Sequence, residues 1–270
     1  MIHLLDIDKI YNYDCTIGLD MLDSESVDLV VTSPPYDNLR TYNGFSVDFM
    51  TIINKLYRVI KDGGVVVWVV SDQTVGGSET GSSFRQALMF LDSGFRLHDT
   101  MIYRKINYIP LTHNRYEQAF EYMFVFSKGK PKTFNPIMIQ CKNAGKIETY
   151  GGITRRKNID VAQAMRFDEE VTYKATREYK IHPNIFEYTL GATKSGHPAP
   201  FPDKLARDMI ISWSNEGDLI LDPFIGSGTT AIQCLYTNRH YIGFDISKEY
   251  CDMSESRILD AKNKIPDTLF

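Results

Sequence analysis

Runs of apolar residues bounded by turn signals organise this chain. Val27-Asp28-Leu29-Val30-Val31-Thr32 is β-branched and ends at Pro34-Pro35, which predicts a buried strand with a sharp stop. From Asp48 to Ile60, Phe49, Ile52, Ile53, Leu56, Tyr57 and Ile60 recur at helical spacing. Lys61-Asp62-Gly63-Gly64 should end that helix, and Val65–Val70 reads as a second buried strand. Gly, Ser and Thr dominate 74–83, which reads as a mobile loop. A helix is expected over 83–91, strands over 96–103 and 122–126, and a turn over 127–131. Residues 132–190 show no clean period and read as an irregular insertion. Beyond Pro198, Pro200 and Pro202, the pattern predicts a helix over 203–213, a strand over 218–222 and a helix over 229–236. A strand over 240–244 and a last helix over 247–262, N-capped by Ser247, complete the series. Buried strands alternating with helices imply an α/β fold whose mostly parallel sheet is covered on both faces.

Composition changes this picture little. The longest uninterrupted apolar run is six residues, Val65–Val70, whereas a membrane span needs roughly 20, so no membrane partner is expected. The N-terminus lacks the basic start of a signal peptide. Cys15, Cys141, Cys234 and Cys251 are scattered with no C-x-x-C, which argues against a metal site or a disulfide framework and points to a reducing cytoplasm. Charge changes it more. The net charge is -4, yet residues 101–180 carry 15 Lys and Arg against 8 Asp and Glu. A basic middle in an acidic chain fits a one-sided nucleic-acid footprint, and equally an unevenly charged solvated surface.

Two segments carry candidate chemistry. The first is the strand-to-helix turn Gly226-Ser227-Gly228-Thr229-Thr230-Ala231, followed by a strand ending at Asp245, 19 residues after Gly226. Glycines permit a tight turn and close approach of a ligand, the helix start presents free N–H groups, and an acidic residue about 20 positions on can bind two ribose hydroxyls. This spacing fits an adenosine-containing cofactor, with nicotinamide dinucleotide still open, and it also fits a plain ligand-free turn. Only one strand and one helix follow the turn, so the rest of a nucleotide fold has to come from the N-terminal half, in permuted order.

The second segment is Ser33-Pro34-Pro35-Tyr36 at the carboxyl end of a buried strand, the edge where open α/β sheets bind ligands. Two prolines stiffen the loop, Ser33 Oγ and the Pro34 carbonyl can accept hydrogen bonds from an amine, and Tyr36 offers a flat face. Alone, the segment is also what a plain turn looks like.

Together the motifs are more specific. Ser33-Pro34-Pro35-Tyr36 precedes Phe224-Ile225-Gly226-Ser227-Gly228 by about 190 residues. Asp14-Cys15 lies upstream of both. Arg58-Val59-Ile60-Lys61-Asp62-Gly63-Gly64, Arg115 followed by Glu121-Tyr122, Ser127-Lys128, and His197-Pro198 ahead of Pro202 fall between or beside them. In this order they resemble the β-class exocyclic-amino DNA methyltransferases, which modify cytosine N4 or adenine N6. Asp62 departs from that pattern, standing where the family has Pro.

The resemblance implies a Rossmann-like methyltransferase fold, a seven-stranded mostly parallel sheet with one antiparallel strand and circularly permuted motif order. It implies a catalytic and cofactor-binding domain over 1–131 and 191–270, with a target-recognition region over 132–190. S-adenosylmethionine is the implied cofactor. Asp245 takes the ribose, and Asp222, Thr229 and Thr230 the amino-acid end, in a site that also draws on Phe224, Gly226, Ser227 and Gly228. Asp14 and Cys15 contact the adenine edge, although Asp14 reads as well as a helix N-cap, and His197 plays a minor part. Ser33, Pro34, Pro35 and Tyr36 are the implied catalytic residues. Double-stranded DNA is the implied partner, read by Arg155, Arg156, Lys157, Lys174 and Arg177, some of which could simply be solvated. A homodimer and a cognate restriction endonuclease are further partners the family suggests. Serine at the first motif position mostly accompanies cytosine N4, with adenine N6 the alternative. No Pro-Cys occurs, which disfavours methylation at cytosine C5.

Overall fold

The computed structural model describes residues 5–35, 47–107, 114–142, 147–153, 166–174, 178–189 and 202–264, with backbone alone for 147–153 and 166–174. Its elements in chain order are β1 (Lys9–Tyr11), α1 (Cys15–Asp20), β2 (Val27–Thr32), α2 (Phe49–Val59), β3 (Ile60–Val70), β4 (Thr74–Val75), β5 (Ser78–Glu79), α3 (Ser82–Asp92), β6 (Arg96–Lys105) and β7 (Phe120–Ser127). There follow β8 (Met138–Gln140), β9 (Ile147–Ile153), β10 (Arg166–Lys174), β11 (Tyr179–Ile181), β12 (Ile185–Tyr188), α4 (Asp203–Trp213), β13 (Leu219–Asp222), α5 (Thr229–Tyr236), β14 (His240–Phe244) and α6 (Lys248–Lys262). None of the described helices is long and apolar enough to cross a membrane.

The chain divides into two compact units. One comprises 1–135 and 184–270, the other Pro136–Pro183. In the larger unit eight strands form one sheet in the order β1-β14-β13-β2-β3-β7-β6-β12. Every neighbouring pair is parallel except β3–β7 and β7–β6, so β7 alone runs against the rest. The expected mostly parallel sheet with one antiparallel strand is present. It has one strand more than expected, because β12 pairs in parallel with β6 at the edge, Phe186 opposite Tyr103. Permutation is visible in the centre: β13, from the C-terminal part of the chain, pairs with β2, from the N-terminal part, Leu221 opposite Val30.

Local chemistry explains the helices that cover this sheet. Asp48 caps α2 by accepting from the Thr51 N–H at 3.2 Å and its hydroxyl at 2.6 Å. Ile52, Ile53, Leu56 and Val59 then form the buried stripe of α2. The β3 core residues Val66 and Trp68 are fully buried, and Trp68 satisfies its indole N–H on Gln86 Oε1 at 2.8 Å. Ser247 caps α6 by accepting from the Tyr250 N–H.

Three sequence expectations change. The second strand begins before Val65: α2 ends at Val59, ahead of Lys61-Asp62-Gly63-Gly64 as expected, but β3 starts at Ile60, and these four residues bulge within it, between the pairs Val27–Ile60 and Leu29–Val65. The bulge is held because the Gly63 N–H donates to the Lys128 carbonyl at 2.6 Å and Lys61 pairs with Asp28 at 2.7 Å. Residues 74–79 form a two-stranded hairpin where the sequence suggested a loop. Gly76 and Gly77 both have positive φ (57° and 82°), the backbone a two-residue hairpin turn requires. The described residues of 132–190 include regular strands as well. In the smaller unit β8 pairs with β11 and β9 with β10, both antiparallel, while 185–188 is the edge strand of the larger unit.

Candidate active site

Five parallel strands, β1, β14, β13, β2 and β3, end along one edge of the sheet. That edge gathers the candidate residues. β2 delivers Ser33, half-buried, and Pro34, buried, directly after Thr32. β13, hydrogen-bonded beside it, delivers Asp222 and the glycine turn. Next in line, β14 ends before Asp245, and β1 ends before Asn12, whose side-chain amide donates to the Asp245 carbonyl at 2.9 Å.

The glycine turn is pinned from several sides. The Ile225 N–H donates to the Phe244 carbonyl and the Gly228 N–H to the Ile225 carbonyl, both at 2.9 Å. Gly226 and Gly228 have φ of 50° and 81°. A β-carbon on Gly228 would lie 2.7 Å from Ser254 Cβ on α6. Ser254 Oγ donates to the Gly226 carbonyl at 3.2 Å, and Arg257 donates to the Ser227 carbonyl. Phe224 meets Trp68 edge-on, ring centroids 6.2 Å apart.

Asp245 is half-buried. Its Oδ2 accepts from the Gly226 N–H at 3.0 Å and its Oδ1 from the Ser247 N–H at 2.8 Å. Burial pushes this carboxyl above its usual range, and those two N–H groups hold it down in part. Each oxygen retains acceptor capacity, as a carboxylate has about four lone-pair sites. A carboxylate fixed beside a glycine turn suits a vicinal diol, so the donor set fits the ribose of an adenosine cofactor.

Asp222 is different. It is only 5% exposed. Its Oδ1 accepts from Thr32 Oγ1 at 2.6 Å and from the Phe224 N–H at 3.0 Å, and its Oδ2 accepts from Thr230 Oγ1 at 2.7 Å. Burial pushes its pKa up to about 6, against the pull of those three donors, and the charge of Asp245 adds to the rise. Thr230, 2% exposed, also lies 3.5 Å from the Val31 carbonyl, and Thr229 is buried at the start of α5.

Asp14 caps α1, its Oδ1 accepting from the Thr16 N–H at 2.7 Å, and Cys15 is buried with its thiol pushed up to about 12 by burial. Tyr36, His197, Arg155, Arg156, Lys157 and Arg177 lie outside the described residues, and Lys174 ends β10, of which only the backbone is described.

Two groups at this edge escaped the sequence reading. Thr32 passed as the last residue of a strand, although a polar residue closing an apolar run was a signal. Asp72, just past β3, accepts from the Ser83 N–H at 3.0 Å and from its hydroxyl, which caps α3 from eleven residues away. No local pattern reveals that partnership.

Residues 27–256 match the family model of N6/N4 methyltransferases, described as DNA methylase. The orphan methyltransferase M.BamHII of Bacillus amyloliquefaciens is 51% identical over 243 residues, covering 86% of this chain and 89% of the relative. The type II methyltransferase M.SmaI of Serratia marcescens is 25% identical over 293 residues, 93% of this chain and 90% of its own. Among solved structures, the cytosine-N4-specific PvuII DNA methyltransferase aligns with a TM-score of 0.65 at 20% identity, over 94% of this chain and 91% of its own. The M1.HpyAVI–SAM complex aligns with a TM-score of 0.58 at 22% identity, over 92% and 98%. At these identities the two structures bear on the fold alone.

Proposed function

Because this chain belongs to the DNA methylase family of N6/N4 methyltransferases, we propose that it methylates the N4 amine of a cytosine flipped out of double-stranded DNA, with S-adenosylmethionine as donor. One observation supports this most directly: the strand that ends in Ser33-Pro34-Pro35 lies hydrogen-bonded beside the strand that ends in the glycine turn. An amine acceptor site and a nucleoside shelf therefore share one sheet edge.

A paired, stacked base cannot present its amine, and extruding it costs on the order of a few kcal/mol. Tyr36 is assigned the stacking role on sequence grounds, offsetting about 1–3 kcal/mol. The exocyclic amine is a poor nucleophile because its lone pair is delocalised into the ring. Ser33 Oγ and the Pro34 carbonyl accept hydrogen bonds from its two N–H groups, draw the nitrogen towards a tetrahedral shape and free the lone pair; the sulfonium–methyl bond breaks as the nitrogen–methyl bond forms, and the surplus amine proton is lost to water. When bound, S-adenosylmethionine supplies a methyl carbon activated by the adjacent sulfonium. The Gly226–Gly228 turn and Asp245 hold the nucleoside end of that cofactor. Most of the rate gain comes from orientation of the reacting atoms. Serine at the first motif position favours cytosine. Residues 132–190, including Arg155, Arg156, Lys157, Lys174 and Arg177, are assigned to DNA, as phosphate or base contacts.

Nucleoside mass spectrometry of DNA from an unmethylated host expressing the chain tests this. N4-methylcytosine, strongly reduced with Ser33→Ala, is expected. N6-methyladenine as the sole product overturns the choice of base, and no methylated nucleoside overturns the activity.

A further inference from the structure

A carboxylate sealed in the sheet edge is a costly choice, since burial opposes its charge. Asp222 is retained there with three donors, each from a different part of the machinery. Thr32 is the residue before Ser33. Phe224 opens the glycine turn. Thr230 lies in the first turn of α5. A single oxygen, Asp222 Oδ1, accepts from both Thr32 Oγ1 and the Phe224 N–H, so the catalytic segment and the cofactor turn meet on one atom. The backbone pairing between β2 and β13 reaches only Val30 and Leu221. Beyond it, Thr230 Oγ1, 3.5 Å from the Val31 carbonyl, and the Thr32–Asp222–Phe224 bridge carry register towards the strand tips.

We propose that Thr32 is a positioning residue for methyl transfer: its hydroxyl, through Asp222, holds the Ser33-Pro34 acceptors in register with the cofactor turn. This rests on the functional reading above. Thr32 itself is fully buried, so it acts on Ser33 by anchoring the preceding backbone. A displacement of about 1 Å in a catalytic group can cost on the order of 100-fold in rate, so the loss of one buried hydroxyl should register in turnover.

Thr32→Val keeps the shape and removes the hydroxyl. Turnover is measured as methyl incorporation into unmethylated genomic DNA, and cofactor-site affinity as calorimetric binding of S-adenosylhomocysteine. The expected result is a kcat lower by about 10- to 100-fold, with S-adenosylhomocysteine affinity within about 3-fold, since Asp222 keeps Thr230 and the Phe224 N–H. Thr32→Ser, which restores a donor, should recover most of the rate. Wild-type kcat in folded Thr32→Val, or a loss that serine does not rescue, overturns the proposal. A wild-type protein that transfers no methyl to DNA, yet binds S-adenosylhomocysteine, overturns the functional reading and this one with it.

Discussion

Gly228 offers a test in which the structure supplies the magnitude and its own control. Its φ of 81° lies in the left-handed region, where a β-carbon costs roughly 1–2 kcal/mol. An alanine there would also bring Cβ to 2.7 Å from Ser254 Cβ and 3.2 Å from Ser254 Cα. Overpacking of that kind costs typically about 1–3 kcal/mol, and backing α6 away would break the bond from Ser254 Oγ to the Gly226 carbonyl. Gly217 has nearly the same φ, 80°, with nothing within 4 Å of its virtual β-carbon. Gly217→Ala therefore reports the backbone cost alone. In urea titrations Gly228→Ala should exceed Gly217→Ala by about 1–3 kcal/mol, which a domain of ordinary stability survives folded. Only Gly228→Ala should also weaken S-adenosylhomocysteine binding, by at least about 10-fold, equivalent to roughly 1.4 kcal/mol. Equal destabilisation by the two alanines, or unchanged binding in Gly228→Ala, would refute the close approach of α6 to the turn as the reason for glycine.

Other expectations follow from the same edge. Ser33→Ala should lower kcat on the order of 100-fold with S-adenosylhomocysteine affinity nearly unchanged, and a parallel loss of affinity would contradict its placement on the base side. Asp245→Ala should weaken S-adenosylhomocysteine binding by about 10-fold or more, as hydrogen bonds to a charged group contribute roughly 1.5–3 kcal/mol; calorimetry decides. Asp222, with a folded pKa of about 6 against an ordinary 3.8, is proton-binding in the folded state where the unfolded chain is already ionised. Its contribution to stability is present below pH about 4 and is lost as pH rises through 6. The stability of wild type relative to Asp222→Asn should thus grow by up to about 3 kcal/mol from pH 7 to pH 4, and a flat difference would argue against burial as the cause.

Much of the secondary structure was legible along the chain because its signals are local. The apolar run 27–32 is β2, buried across the sheet, and the periodic stripe 203–213 is α4. Gly228 and Ser247 mark helix starts by their own backbone or side chain. Motif order also exposed the permutation, since Ser33-Pro34-Pro35-Tyr36 precedes the glycine turn along the chain. Other features depend on partners far away in sequence. The Lys61–Gly64 bulge exists because Lys128 and Asp28 receive it, and β12 is a strand because β6 offers an open edge. Resemblance placed Asp222 in the cofactor site; that its carboxylate is buried among Thr32, Phe224 and Thr230, with Thr32 190 residues away, only packing shows. Sequence could name Ser33 and Gly226 as parts of one site by their kinship to a family. Only the pairing of β2 with β13 brings their strands together, because hydrogen bonds between strands, unlike propensities, are not properties of either segment alone.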